Sequence, residues 1–215
     1  EKIKEYVETN YKEKIKVDFV EQYERKGIAH AISLISDKVN KEEDVLIILG
    51  DTIFDTDFQF VGNKYNCIGV KKVENPNRFG IVEIKDKFIT NLVEKPEVPP
   101  SDLAIVGIYY IKKFSKLINA IQTIIAQDIK TKNEYQLTDA LQLMLKQGEI
   151  FLPIEIQGWY DCGKIESLLE TNKILLQKKS YIPQNIGKNI IIPPCFISNS
   201  AKIENSIIGP NVSIS

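Results

Sequence analysis

Five apolar residues in a row, Val45-Leu46-Ile47-Ile48-Leu49, lie between the charged stretch Lys41-Glu42-Glu43-Asp44 and Gly50. The run is rich in β-branched residues, too short for a buried helix and without polar alternation. It therefore reads as a strand buried on both faces, which a parallel sheet covered by helices requires. A fold containing such a strand needs more strands beside it and helices above and below, and the flanking sequence supplies candidates.

Strands are expected over residues 15–20, 67–72, 104–111 and 150–156, and helices over 27–36, 114–126, 136–146 and 165–178. The last helix is expected to bury Leu168, Leu169, Ile174 and Leu175, which recur at helical spacing. Between Phe79 and Val93 two short alternating runs flank Lys85-Asp86-Lys87, the pattern of an antiparallel hairpin. Strand and helix in alternation imply an α/β layered domain with a mostly parallel sheet.

The texture changes after Ser180. Helix formers become scarce, and isoleucines recur at Ile192, Ile197, Ile203, Ile208 and Ile214, in steps of five or six. That period fits hexapeptide turns of a parallel β-helix, each burying one aliphatic side chain against the next. The division expected is residues 1–180 and 181–215. The chain opens at Glu1 without a methionine, inside a helical pattern that places Ile3, Tyr6 and Val7 on one face. The expectation is a cut within a domain.

Composition excludes several classes. With 43% hydrophobic residues and a net charge of −1, the chain has the makings of a packed core and is not a disordered segment. No apolar run approaches the ~20 residues of a membrane span, and no signal peptide is visible. Three widely spaced cysteines, Cys67, Cys162 and Cys195, argue against a disulfide framework or a cysteine zinc site. They fit a reducing, cytoplasmic setting. Arginine occurs only at Arg25 and Arg78, and no basic cluster suggests nucleic-acid binding. An anionic ligand is then a small one, met by a few lysines or backbone N–H groups.

The chemistry-bearing candidates are few. Asp51 follows the apolar run, where ligands of open α/β sheets bind beyond strand carboxyl ends; it could equally cap the next segment. Asp55 and Asp57 read as loop residues. Asp161, in Trp159-Tyr160-Asp161-Cys162-Gly163, is either a helix cap or a second metal carboxylate, and two aspartates plus substrate phosphates suffice for magnesium. Glu94 and Lys95 would face opposite sides of a strand, unless the bend at Pro96 brings both into one crevice. Gln22 offers a donor and an acceptor for a nucleobase edge, and Gly27 lets backbone approach a flat ring. His30, the single histidine, reads as a packed or capping group, and no Ser/His/Asp or Cys/His set is present.

Taken in order, Gln22…Gly27-Ile28-Ala29-His30-Ala31, Leu49-Gly50-Asp51, Asn77-Arg78-Phe79-Gly80, Glu94-Lys95-Pro96, Gly107-Ile108-Tyr109, Gln136-Leu137-Thr138-Asp139 and Trp159-Tyr160-Asp161-Cys162-Gly163 resemble the sugar-1-phosphate nucleotidyltransferases. The nearest likeness is to long-type glucose-1-phosphate thymidylyltransferases. The resemblance implies a Rossmann-like (GT-A-like) mixed sheet flanked by helices, then the first turns of a left-handed β-helix. It further implies Mg²⁺-dependent transfer of a nucleotidyl group from a nucleoside triphosphate, dTTP first, to a sugar 1-phosphate, glucose 1-phosphate first, with release of pyrophosphate.

Under that resemblance Gln22 and Gly27 contact the base, and Asp51 and Asp161 hold Mg²⁺. Gly80 and Glu94 meet sugar hydroxyls, Lys95 the sugar phosphate, and Gly107 and Tyr109 line the sugar pocket. It also implies a homo-oligomer, and a Gly-rich loop with an arginine that nothing in the chain matches. The chain alone is accordingly expected to be inactive. A non-catalytic regulatory or assembly subunit, and a relative using UTP, GTP or ATP, stand as alternatives.

Overall fold

A computed structural model describes residues 2–184 and 187–215. The chain packs as two units, residues 1–47 with 58–155, and residues 48–57 with 156–215. No helix among the described residues is long and apolar enough to cross a membrane.

The first unit is built on a mixed sheet. Its strands are β1 (Val45–Ile48), β3 (Asn66–Lys72), β4 (Gly80–Lys85), β5 (Phe88–Glu94), β6 (Leu103–Ile111) and β7 (Phe151–Glu155), β2 belonging to the second unit. They run in the order β5-β4-β6-β3-β7, with β1 also paired to β6. β3 and β7 are parallel, whereas β3–β6, β4–β5 and β4–β6 are antiparallel. The sheet is thus mixed rather than mostly parallel. Helices α2 (Ile28–Ser33), α3 (Phe114–Ala126) and α4 (Leu137–Lys146) pack on it, and Phe114, Leu117, Ile121, Leu141 and Met144 fill the core with Ile68, Val82 and Phe151.

Several expectations hold closely. The helix expected over 114–126 has those bounds, and the strand expected over 104–111 gains only Leu103 and is buried nearly throughout. The hairpin closes at Asp86 and Lys87, both at positive φ (49° and 73°), the backbone of a two-residue primed turn.

Others are corrected. Residues 15–20 form no strand; they run as irregular, largely exposed chain after α1 (Lys2–Tyr11), because no neighbouring strand supplies ladder partners. β1 is not buried on both faces: Leu46 and Ile48 remain 40% and 46% exposed, alternating with half-buried Val45 and Ile47.

In the second unit β2 (Thr52–Asp55) pairs antiparallel with β8 (Gly158–Asp161), followed by α5 (Ile165–Lys178). Asp55 therefore sits on a strand and not in a loop. α5 has the expected bounds, yet Leu168 and Leu169 point outward, Leu169 being 65% exposed; Thr171 and Leu176 are the buried residues. The apolar repeat misleads because this helix packs through a narrow seam.

Beyond α5, β9 (Ile190–Ile191) pairs parallel with β11 (Ile207–Ile208), and β10 (Cys195–Ile197) with β12 (Val212–Ile214). Each pairing joins residues seventeen positions apart, Ile190 with Ile207 and Cys195 with Val212. Ile197 and Cys195 are buried; Ile191, not the expected Ile192, stacks on Ile208.

A stabilising substitution follows from the hairpin. Asp86 and Lys87 carry β-carbons in the left-handed region, where each non-glycine residue costs roughly 1 kcal/mol. Replacing the pair with Asn-Gly is expected to raise stability by about 0.5–1 kcal/mol, seen as a higher denaturation midpoint at unchanged slope.

Candidate active site

In the second unit the β2–β8 ladder brings two acidic residues side by side. Thr52 pairs with Asp161, so Asp51 lies one residue beyond the ladder's end, and its carbonyl accepts the Cys162 N–H at 2.9 Å. Asp161 ends β8, and its Oδ1 accepts the Gly163 N–H at 2.8 Å. α5 starts later, with Lys164 at its N-cap, so Asp161 is not the helix cap. A β-carbon placed on Gly163 would stand 3.1 Å from Asp161 Oδ1 and 3.3 Å from Asp51 Oδ2. Both carboxylates therefore approach Gly163 more closely than a side chain there would comfortably allow.

This donor set suits a hard divalent cation. Two carboxylate oxygens converge, no histidine or thiolate set competes, and among the described residues no third acidic, histidine or cysteine side chain joins them. Magnesium usually takes one or two carboxylates and fills its remaining positions with water and substrate phosphate.

The first unit holds a separate polar cluster. Gly80 pairs with Glu94 at the mouth of the β4–β5 hairpin. Glu94 Oε2 accepts the Thr138 hydroxyl at 2.7 Å, and Lys95 Nζ lies 3.4 Å from Glu94 Oε1. Lys95 is at φ 42°, and this left-handed turn defeats the strict alternation that would send the two side chains apart. A β-carbon on Gly80 would meet Thr138 Oγ1 at 2.9 Å and Glu94 Oε2 at 3.0 Å. The Tyr109 hydroxyl is buried, and burial first, then the Glu94 charge, pushes its pKa well above the usual phenol range.

Gly107 sits at φ 87° in a bulge: β3 advances two residues from Ile68 to Val70 while β6 advances four, from Ile105 to Tyr109. Such bulges re-aim neighbouring side chains beside binding sites. Gly80, Glu94 and Lys95 are thus brought together, with Tyr109 in electrostatic range.

Gln22 and Gly27 also meet. Gln22 Nε2 donates to Gly27 O at 3.0 Å and to His30 Nδ1 at 2.9 Å, with His30 then carrying its proton on Nε2. Both amide hydrogens are occupied, so Gln22 retains its Oε1 acceptor rather than the full donor and acceptor pair expected. Gly27 has φ 101°, and a β-carbon there would fall 2.5 Å from Tyr135 O. Its glycine is required first by packing on the Glu134–Tyr135 backbone. His30 acts as an orienting partner of Gln22.

Two residues of the Gln136-Leu137-Thr138-Asp139 motif carry more than their sequence suggested. Thr138 fixes Glu94. Asp139 Oδ2 is buried and finds no hydrogen-bond partner among the described residues, and burial, opposed by a Thr131 hydrogen bond and helped by the Glu94 charge, raises its pKa. Nothing in a Thr-Asp dipeptide signals this; the pairing of Thr138 with Glu94 spans 44 positions.

Comparison with known proteins agrees with this arrangement. Residues 1–178 match the family described as Nucleotidyl transferase. The chain is 37% identical over 193 residues to the bifunctional protein GlmU of Methanocaldococcus jannaschii, covering 88% of this chain and 45% of the relative. It is 29% identical over 211 residues to a glucose-1-phosphate thymidylyltransferase of Streptomyces griseus, covering 92% and 57%. The chain thus spans about half the length of the curated relatives it matches. A Bacillus anthracis structure assigned as a glucose-1-phosphate thymidylyltransferase, solved with a sucrose, superposes at TM-score 0.67 and 26% identity over 85% of this chain and 74% of its own. A UDP-glucose pyrophosphorylase complexed with UDP-glucose shares the fold at TM-score 0.65 and 23% identity, over 83% and 74%.

Two substitutions probe the first-unit cluster. Gly80→Ala is expected to cost about 1–3 kcal/mol through overpacking against Thr138, Glu94 and Ile105, read from denaturant unfolding. Asp139 has a raised folded-state pKa, so the folded chain holds that proton more tightly than the unfolded chain. Its contribution is fully present below the ordinary Asp value of about 4 and is lost as pH rises. Asp139→Asn is expected to melt higher than the wild type at pH 7, with the gap closing toward pH 4.

Proposed function

This chain belongs to the nucleotidyl transferase family, and on that premise we propose that the protein transfers a nucleotidyl group from a nucleoside triphosphate to a sugar 1-phosphate, releasing pyrophosphate. The observation that carries this reading is the juxtaposition of Asp51 Oδ2 and Asp161 Oδ1 at Gly163, each within 3.3 Å of where a β-carbon of that residue would stand.

Asp51 and Asp161 would hold Mg²⁺, which when bound neutralises triphosphate charge. A sugar-phosphate oxygen attacks the α-phosphorus, the α–β P–O bond breaks, and pyrophosphate leaves without a covalent enzyme intermediate. Both reactants are anions, so alignment and charge compensation dominate the barrier. Lys95, the exposed ammonium of the first-unit cluster, meets the sugar phosphate. Glu94, held by Thr138, accepts hydrogen bonds from sugar hydroxyls, while Gly80 and the Gly107–Tyr109 bulge shape the space for the ring. Gln22 Oε1 accepts from a donor on the base, such as the ring N–H of thymine or uracil, and Gly27 closes the loop beneath it.

The names of the Streptomyces griseus relative and the Bacillus anthracis structure support dTTP and glucose 1-phosphate as the first pair to test. The parallel pairing at a step of seventeen supports a β-helix after residue 180, since three hexapeptide turns make a coil of about eighteen residues.

A pyrophosphate-release panel with dTTP, UTP, GTP and ATP against glucose 1-phosphate, on the full-length protein, tests the reading. Asp51→Asn and Asp161→Asn are each expected to lower turnover by at least about 100-fold, as the loss of a catalytic metal carboxylate does. Gly163→Ala, which sets a methyl beside both carboxylates, is expected to raise the Mg²⁺ requirement with melting unchanged. Near-normal rates in both Asn variants would overturn the assignment.

A further inference from the structure

Helix α5 touches the carboxylate strand and the parallel strands through two consecutive residues. Thr171 is buried at 4% exposure, and its hydroxyl donates to the Asp161 backbone carbonyl at 2.9 Å. Asn172, one position on, donates from Nδ2 to Asn211 O at 2.9 Å and accepts the Ser213 hydroxyl on Oδ1 at 2.7 Å. Asn211 immediately precedes β12 and Ser213 lies within it.

A second tie fixes the same helix to the β2–β8 ladder. Lys178 Nζ lies 2.8 Å from Asp55 Oδ2 on β2 and donates to the Tyr160 hydroxyl on β8 at 2.7 Å. Burial and proximity thus pin α5 at both its middle and its end against the strands that carry the acidic pair.

The Thr171 bond does not touch the Asp161 carboxylate. It fixes the peptide unit from which that side chain projects, while the Gly163 N–H fixes the side chain itself. Losing the buried hydroxyl removes that partner from the Asp161 carbonyl, and strand β8 must shift or take up water to replace it. A displacement of under an ångström is enough to spoil a two-carboxylate site, since partners behind metal ligands commonly govern affinity by 10–100-fold.

We infer that Thr171 and Asn172 form a positioning relay, through which the parallel-strand region after residue 180 holds Asp161 in metal-binding register. The inference rests on the proposed metal reading. It gives the parallel strands a part in the reaction that none of their own side chains could supply, since they bring neither histidine nor acid to the pair.

The test is Mn²⁺ binding to the purified chain, read by loss of the free-ion EPR signal, with the backbone amide resonances of Cys162 and Gly163 followed by ¹H–¹⁵N NMR. Wild type, Asp161→Asn, Thr171→Val, Thr171→Ser and Asn172→Ala are compared. Thr171→Val is expected to weaken Mn²⁺ about tenfold and to move both amides, and Thr171→Ser to return affinity to within about twofold of wild type. Asn172→Ala, which contacts neither carboxylate, is expected to weaken Mn²⁺ about threefold, in line with a net hydrogen bond. It also keeps the test open should Thr171→Val fail to fold.

If Asp161→Asn loses Mn²⁺ while Thr171→Val and Asn172→Ala bind as wild type, the relay is wrong and the metal reading stands. If Asp161→Asn binds as wild type, the metal reading itself falls. Weakening by Thr171→Ser equal to that by Thr171→Val would mean packing, not the hydroxyl, and would also overturn the relay.

Discussion

The antiparallel pairing of Thr52 with Asp161 is the constraint from which the candidate chemistry follows. Two aspartates 110 positions apart become neighbours because a short ladder ends between them, and the Cys162 N–H closes on the Asp51 carbonyl just past its last rung. Backbone bonding fixes the site before any side chain is considered. The arrangement is held by the ladder, by Gly158 pressed on Asp55 and by the ties from α5.

The first-unit cluster works by the opposite balance. Glu94 has a hydroxyl donor on one oxygen and a lysine ammonium near the other, so its charge is compensated within the protein. Asp139, close by, is not: its buried Oδ2 has no partner and its proton is held more tightly than usual. One carboxylate has its charge balanced by protein groups, and the other is discouraged from adding a second negative charge beside it. On the proposed reading, that restraint would favour a ligand carrying phosphate.

Much of this was legible in the sequence where the signal is local. The helix from Phe114 to Ala126 and the hairpin around Asp86-Lys87 follow from periodicity and turn position within a dozen residues. Asp51 and Asp161 were legible from their places beside strands only as candidates with a structural alternative each, and the resemblance is what set them together as a pair. What stayed hidden depends on distant partners. Residues 15–20 have strand composition and no ladder to join, and Leu168 and Leu169 have helical spacing and nothing to pack against. In the same way Ile191 displaces Ile192 because strand register, set by the pairing with Ile208, decides which of two adjacent isoleucines turns inward.

Glycine marks both clusters for one reason. At Gly80 a β-carbon would stand within 3.0 Å of Glu94 Oε2, and at Gly163 within 3.3 Å of both Asp161 Oδ1 and Asp51 Oδ2. Neither needs a left-handed backbone, since neither is among the glycines at positive φ. What each supplies is the absence of a β-carbon where carboxylate oxygen packs closely against backbone. On the proposed reading, those oxygens are the ones that a sugar hydroxyl at Glu94 and a hard cation at the aspartates would meet. A side chain at either glycine would crowd the carboxylate that strand pairing places beside it, so on the proposed reading backbone pairing and binding are linked through the two glycines.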